Sequence, residues 1–119
     1  MRRKRGRTKA EQCSEWTEKN GRDVVRDRSS GVCEGCGCSR AAEWQHRKNR
    51  SQGGGWNPAN GLHLCTPCHA WIHANPTAAV ERGWTVPEHL DPADVPVEHW
   101  QWGRVHLDDH GGIHLVQKG

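Results

Sequence analysis

The sequence has few apolar residues and no long run of them. Apolar side chains make up 33% of the 119 residues, and charged side chains make up 26%. A chain of this length and composition can bury only a small core, so we expect one small domain that needs a second source of stability. No stretch approaches the roughly 20 apolar residues of a membrane span, which excludes a membrane helix from the prediction.

A hydrophobic signal segment is also missing. The first nine residues, MRRKRGRTK, are basic, and no apolar run of about 7 to 15 residues follows them. We therefore expect a cytoplasmic protein, in which six cysteines favour a metal site over disulfide bonds. Residues 1–9 carry six cations and no apolar side chain beyond Met1, so they are predicted to form a flexible basic arm.

Positive charge is scarce in the second half of the chain. Residues 51–119 carry 3 Lys and Arg against 7 Asp and Glu, whereas residues 1–50 carry 14 against 7. A polyanion such as DNA is therefore expected to meet the first half. A solvated charged face without a partner would have the same composition, so composition alone does not distinguish it from a DNA-binding surface.

Four of the six cysteines form two Cys-x-x-Cys pairs. Cys33 and Cys36 lie in CEGCG, and Cys65 and Cys68 lie in CTPC. Two thiolates three positions apart converge on one ion, and glycine lets backbone N–H groups turn toward sulfur. We predict that these four thiolates hold a structural Zn²⁺ and that the 28 residues between the pairs form an inserted hairpin. Cys38 is predicted to be a spare thiol.

The spacing of apolar residues predicts helices on both sides of a hairpin. Residues 10–30 are predicted to form two short helices with a break at Asn20–Gly21. Residues 41–46 and 62–64 are predicted to be paired strands. Pro67 suits the first turn of a helix that begins at the second cysteine pair.

The C-terminal part of the chain has a different character. Residues 76–82 are predicted to form a short helix, and the acidic, Pro-containing residues 88–99 are predicted to form a loop. Residues 105–107 and 113–115 flank a DDHGG turn and are predicted to form a hairpin. We expect residues 84–119 to be an extension that packs on the core.

Three histidines suggest hydrolytic chemistry. His69 and His73 are four residues apart on the predicted helix, so they share one face and can bind one divalent cation. His46 ends the first predicted strand, and an imidazole can accept a proton near neutral pH. A base beside a Lewis acid is what phosphodiester hydrolysis requires.

Together these residues resemble the HNH endonuclease family over residues 30–75. His46, Asn60 and His69 match the three signature positions, His73 matches a second helix histidine, and the loop RSQGGG is rich in glycine as in the family. The resemblance implies an α+β fold with a zinc-stabilised ββα-metal core over residues 31–83, preceded by the N-terminal helices and followed by the C-terminal β-hairpin extension.

The resemblance also implies roles for these residues. His46 would be the general base, and His69 and His73 would bind a catalytic Mg²⁺, Mn²⁺ or Ni²⁺. Asn60 would hydrogen-bond across the loop and orient His46, although Asn57 could do so instead.

One position departs from the family pattern. Most members have Asp or His immediately before the base, where it completes the metal site, but this chain has Gln45. An amide oxygen is a weaker, neutral ligand, so we expect the ion to be held loosely, with water and DNA phosphate completing its coordination. Arg47, Lys48 and Arg50 flank the proposed base and are predicted to contact DNA phosphate.

The sequence therefore predicts a metal-dependent endonuclease that cuts one or both strands of double-stranded DNA. The pattern is similar to small HNH proteins encoded by bacteriophages, some of which act beside the terminase during DNA packaging, and this implies the host cytoplasm. One alternative is a zinc-stabilised DNA-binding module without cleavage activity. A second alternative is an interaction protein that acts through its acidic C-terminal half. The number of protomers stays open.

Overall fold

The computed structural model describes residues 16–116. The predicted basic arm and most of the first predicted N-terminal helix lie outside the described residues. None of the helices within them has the length and apolarity that crossing a membrane requires. The helices are α1 (Glu18–Ser29), α2 (Thr66–Ala74) and α3 (Pro76–Glu81), and the strands are β1 (Glu43–His46), β2 (Gly61–Leu64), β3 (Val97–His99), β4 (Gly103–Leu107) and β5 (Ile113–Leu115).

The helix α1 is continuous through the position where a break was expected. It begins after Thr17, whose side-chain oxygen accepts a hydrogen bond from the N–H of Asn20, and it continues through Gly21 to Ser29. A Cβ atom at Gly21 would collide with the backbone carbonyl of Trp56. The prediction of a break was therefore wrong, because this glycine allows the helix to approach a loop closely rather than ending it.

The strands β1 and β2 and the helix α2 form a ββα unit. The two strands are antiparallel, with Glu43 opposite Leu64 and His46 opposite Gly61. The helix α2 has Pro67 in its first turn, as predicted. Both predicted strands are confirmed, although β1 begins two residues later than expected.

A second antiparallel sheet has the order β3-β4-β5. The predicted hairpin is confirmed as β4 and β5, with His106 opposite His114. The prediction of loop over residues 88–99 rested on their acidic, Pro-containing composition, and it was wrong at Val97–His99, which form the short strand β3. The fold is therefore α+β with two small sheets, and one core contains residues from both of them: Leu62, Leu64, Val97, Val105 and Leu107.

A buried ion pair lies between α1 and the residues that follow it. The side chains of Arg28 and Glu34 are 1% and 0% exposed, and two guanidinium nitrogens donate to the carboxylate at 2.8 Å. Arg28 also donates to the carbonyls of Pro58 and Gly61. Burial alone would raise the pKa of Glu34, but the charge and hydrogen bonds of Arg28 lower it to about 2. The pair therefore ties α1 to the start of β2.

Candidate metal centre and histidine site

The four paired cysteines come together in space. The sulfur atoms of Cys33, Cys36, Cys65 and Cys68 all lie within 4.8 Å of one another, and those of Cys36 and Cys65 are 3.8 Å apart. Thiolates on a tetrahedral Zn²⁺, with Zn–S bonds of about 2.3 Å, are separated by about 3.8 Å. The cysteine group therefore fits a structural metal such as zinc. Within residues 16–116 it is the one group of three or more His, Cys, Asp or Glu residues with this geometry.

The backbone around the first pair is shaped to stabilise thiolates. The N–H of Cys36 donates to the sulfur of Cys33 at 3.5 Å, and the N–H of Cys38 donates to the sulfur of Cys36 at 3.4 Å. The hydrogen bond from Cys38 lowers the pKa of Cys36 to about 7, whereas burial raises the pKa of Cys65 and Cys68. Metal binding would therefore release protons from the second pair. Cys38 is exposed and lies outside the group, as predicted.

His46 lies between two tryptophans at the end of β1. Its ring centroid is 4.5 Å from that of Trp56 and 5.8 Å from that of Trp44, both in edge-to-face contacts. The Nε2 atom of His46 is buried and has no hydrogen-bond partner within the described part of the chain. Burial, together with the charges of Arg50 and Arg22, lowers the pKa of His46 to about 4. The imidazole is therefore neutral at pH 7, as a base must be before it accepts a proton.

The two helix histidines lie beside Glu43 of β1. The ring centroids of His69 and His73 are 5.3 Å apart, which places them on one face of α2, as predicted. The Nδ1 of His69 is 2.5 Å from Oε1 of Glu43. Side chains alternate along a strand, so Glu43 and His46 point to opposite faces of β1. The structure therefore groups His69 and His73 with Glu43, and it groups His46 with the tryptophans.

Asn60 closes the loop between β1 and β2. Its Oδ1 accepts a hydrogen bond from the N–H of Lys48 at 2.7 Å, and its Nδ2 donates to the carbonyls of Lys48 and Gly55. Asn57 instead donates to Asp109. Asn60 thus bonds across the loop as expected, and it fixes the backbone two residues after His46.

Gln45 has a different partner from the one suggested by its position. It is 7% exposed, and its Nε2 donates to the carbonyl of Trp84 at 3.2 Å. This hydrogen bond holds the amide against the segment that follows α3. A role for Gln45 as a metal ligand through Oε1 stays a prediction, because the Trp84 contact uses Nε2.

Arg47 is buried rather than placed at a DNA-binding surface. Its side chain is fully buried, and Lys48 is only 4% exposed. The guanidinium of Arg47 is enclosed by the fold, so the expectation of a DNA phosphate contact is wrong for Arg47. For Lys48 and the exposed Arg50, contact with DNA phosphate stays a prediction. The guanidinium of Arg47 donates instead, at 2.8 to 3.0 Å, to the carbonyls of Ala59, Gly83, Pro92 and Val95.

Comparisons with known proteins do not assign the site. No family model matches the chain, and neither does a curated protein or a solved structure. The residues of the site itself are therefore the basis for its chemistry.

Sequence reasoning missed Glu43 and the tryptophan pair. Alternation along β1 gave a partial signal, because it places Glu43 on the face opposite His46. No pattern in the sequence indicated that Trp56 contacts His46. Trp56 lies in a Gly-rich loop whose path depends on Asn60 and on contact with α1.

Replacing Trp56 by alanine should raise the pKa of His46 from about 4 toward its ordinary value of about 6.5. Removing the ring admits water to Nε2 and weakens the burial that disfavours the imidazolium. The measurement is an NMR titration of the His46 ring. An alanine at the exposed Trp102 is the matched control and should leave the titration unchanged.

The same shift has a consequence for stability. The pKa of His46 is lower in the folded protein than in the unfolded chain, so its contribution to stability is complete above about pH 6.5 and is lost as the pH falls toward 4. The Trp56 variant should lose less stability over this interval. An unchanged titration in that variant would show that other groups bury the ring.

Proposed function

We propose that the protein is a metal-dependent DNA endonuclease of the HNH type. The observation that carries this proposal is the order of the elements: β1 ends at His46, a loop closed by Asn60 leads to β2, and α2 carries His69 and His73. This is the ββα order of the family that the sequence resembles, with each signature residue at its expected place along the chain. A phage origin and a link to the terminase belong to the proposal through the resemblance alone.

The proposed chemistry needs His46 and a cation on His69 and His73 to act on one phosphate. These groups lie against opposite faces of β1, so the proposal requires the end of β1 and its loop to rearrange. His46 is neutral at pH 7 and can accept a proton from the water that attacks the phosphorus atom. A divalent cation, when bound by His69 and His73, would supply a Lewis acid for the charge that develops on the phosphate. Asn60 keeps the loop after His46 in place. The cysteine group, when it holds zinc, fixes α2 relative to the hairpin.

His46 has to be uncovered before it can act in this way. Its Nε2 is buried against Trp56, and Trp56 is held by α1. The guanidinium carbon of Arg22 lies 5.5 Å from the Trp56 ring centroid, and Gly21 packs on the Trp56 carbonyl. The proposal therefore requires this loop to move when DNA binds. The exposed Arg50 lies near enough to lower the pKa of His46, and it can meet a phosphate there.

Replacing His46 by alanine should abolish plasmid nicking. The loss of a general base lowers the rate by about 10² to 10⁴-fold. The measurement is conversion of supercoiled to open-circular plasmid with Mg²⁺, Mn²⁺, Ni²⁺ or no added cation. His110 is exposed and lies in a turn of the second sheet, so its alanine variant is the matched control and should nick normally. Zinc content and circular dichroism establish that both variants are folded.

A second candidate function follows from the burial of His46 Nε2. A zinc-stabilised module that binds DNA without cutting it would keep the same fold, and its histidine could remain covered. Such a protein would bind plasmid but leave it supercoiled with every cation tested. This outcome would overturn the nuclease proposal.

A further inference from the structure

Glu43 joins the first strand to the face of α2 that carries the two histidines. Its Oε1 lies 2.5 Å from Nδ1 of His69, and the two side chains are 34% and 28% exposed. The pKa of the Glu43 carboxyl is lowered, first by the side chain of Thr66 in the first turn of α2 and then by His69. The carboxylate is therefore held from two directions, at a place where solvent still reaches both partners.

The contact with Glu43 determines which nitrogen of His69 is available to bind a metal ion. An ionised carboxylate can only accept hydrogen bonds, so Nδ1 of His69 carries the proton and donates it to Glu43. In the neutral imidazole the other nitrogen, Nε2, then keeps its lone pair. Histidines that bind metals commonly donate their second N–H to a carboxylate, which fixes the ring and makes the ligating nitrogen more basic.

We propose that Glu43 is a positioning residue that prepares His69 to bind a divalent cation through Nε2, with His73 as the second histidine ligand. This inference rests on the proposed function, in which these two histidines hold the catalytic ion. Their ring centroids are 5.3 Å apart. Two imidazoles bound to one ion, with metal–nitrogen bonds of about 2.1 Å, have centroids about 5 Å apart.

The charge of Glu43 also compensates for a weakness of the site. The residue immediately before His46 is the neutral Gln45, and its amide donates to the Trp84 carbonyl. Glu43 lies two positions earlier, on the same face of β1, and it places a full negative charge against a ligand of the ion. The negative charge beside the proposed cation site thus comes from a carboxylate that contacts the ligand His69, and not from a third ligand.

The simpler role for Glu43 is to anchor β1 on α2 through Thr66 and His69. A glutamine at position 43 separates the two roles, because its amide oxygen can still accept both hydrogen bonds but carries no charge. Under the anchoring role alone, the Glu43→Gln variant would bind the second cation as tightly as the wild-type protein does.

The experiment is a calorimetric titration of zinc-loaded protein with Mn²⁺ and with Ni²⁺. Glu43→Ala should weaken binding of the added cation by about 10 to 100-fold, and Glu43→Gln should weaken it by less. Glu81→Gln removes an exposed carboxylate from α3 and is the matched control, with unchanged affinity expected. Zinc content and thermal melting establish that each variant keeps its fold.

A second measurement reports on His69 directly. Nitrogen-15 NMR of the imidazole, recorded before the second cation is added, should show a proton on Nδ1 in the wild-type protein and a mixture of tautomers in Glu43→Ala. Unchanged affinity in Glu43→Gln, which anchoring alone predicts, or an unchanged tautomer in Glu43→Ala, would overturn the positioning role.

The His69→Ala variant separates failure of this inference from failure of the proposed function. If His69→Ala loses the added cation and the Glu43 variants do not, only the role of Glu43 is overturned. If the wild-type protein binds no added cation, or if His69→Ala binds it normally, the proposed metal site is overturned and the role of Glu43 falls with it.

Discussion

Removing zinc from the cysteine group should unfold the protein. The apolar core is small, and a structural zinc contributes on the order of 10 kcal/mol to the folding of a small domain. The whole free energy of unfolding of a typical domain is only about 5 to 15 kcal/mol. The measurement is the loss of the folded circular dichroism and NMR spectra when a chelator is added, with the zinc content followed by elemental analysis.

Serine substitutions test the same point without a chelator. Cys65→Ser removes one of the four converging thiols and should prevent folding or lower the melting temperature severely. Cys38→Ser changes an exposed thiol outside the group, so it should melt with the wild-type protein. Equal melting temperatures for the two variants would show that the cysteine group does not hold a structural metal.

Replacing Arg47 by alanine should lower the free energy of unfolding by about 3 to 5 kcal/mol, because several buried carbonyls each lose a charge-assisted hydrogen bond. Burial lowers the pKa of Arg47 to about 9, so the guanidinium is still charged at pH 7. Arg47→Lys should restore little, because a single ammonium cannot reproduce the planar donor set. Denaturant unfolding of the two variants measures both effects.

Arg50 provides the matched comparison on the surface. It lies three residues after Arg47 and is exposed, so Arg50→Ala should leave the free energy of unfolding unchanged. If Arg50 contacts a phosphate, its loss should weaken DNA binding and reduce the salt dependence by about one counterion. The opposite pattern, with a stable Arg47→Ala protein that binds DNA weakly, would return Arg47 to the DNA-binding surface.

The parts of the fold that follow from local spacing could be predicted from the sequence. The two Cys-x-x-Cys pairs predicted the metal group, and Pro67 marked the first turn of α2. His69 and His73 share a helix face because they are four residues apart. Each of these features has a signal in residues that are close together in the chain, although the two cysteine pairs are separated by 28 residues.

The features that were missed depend on contacts between distant segments. From the sequence alone, Arg47 is predicted to contact phosphate, because it is a cation in a polar loop. Its actual partners are carbonyls 12 to 48 residues away in the chain. From the sequence alone, Gly21 predicts a helix end. In the structure it lies inside α1, where the backbone of Trp56 packs against it. The relation of Glu43 to His69 likewise depends on how α2 packs against β1, which no local pattern encodes.

The hydrogen bonds of Arg47 also set a lower limit on the size of the working unit. A fragment ending at Gly83 would contain all four thiols of the cysteine group and every residue of the proposed nuclease site. It would nevertheless remove the carbonyls of Pro92 and Val95 and expose a charged group that the intact chain encloses. The region that can be recognised as a motif is therefore shorter than the piece of chain that supplies all the hydrogen-bond acceptors of the Arg47 guanidinium.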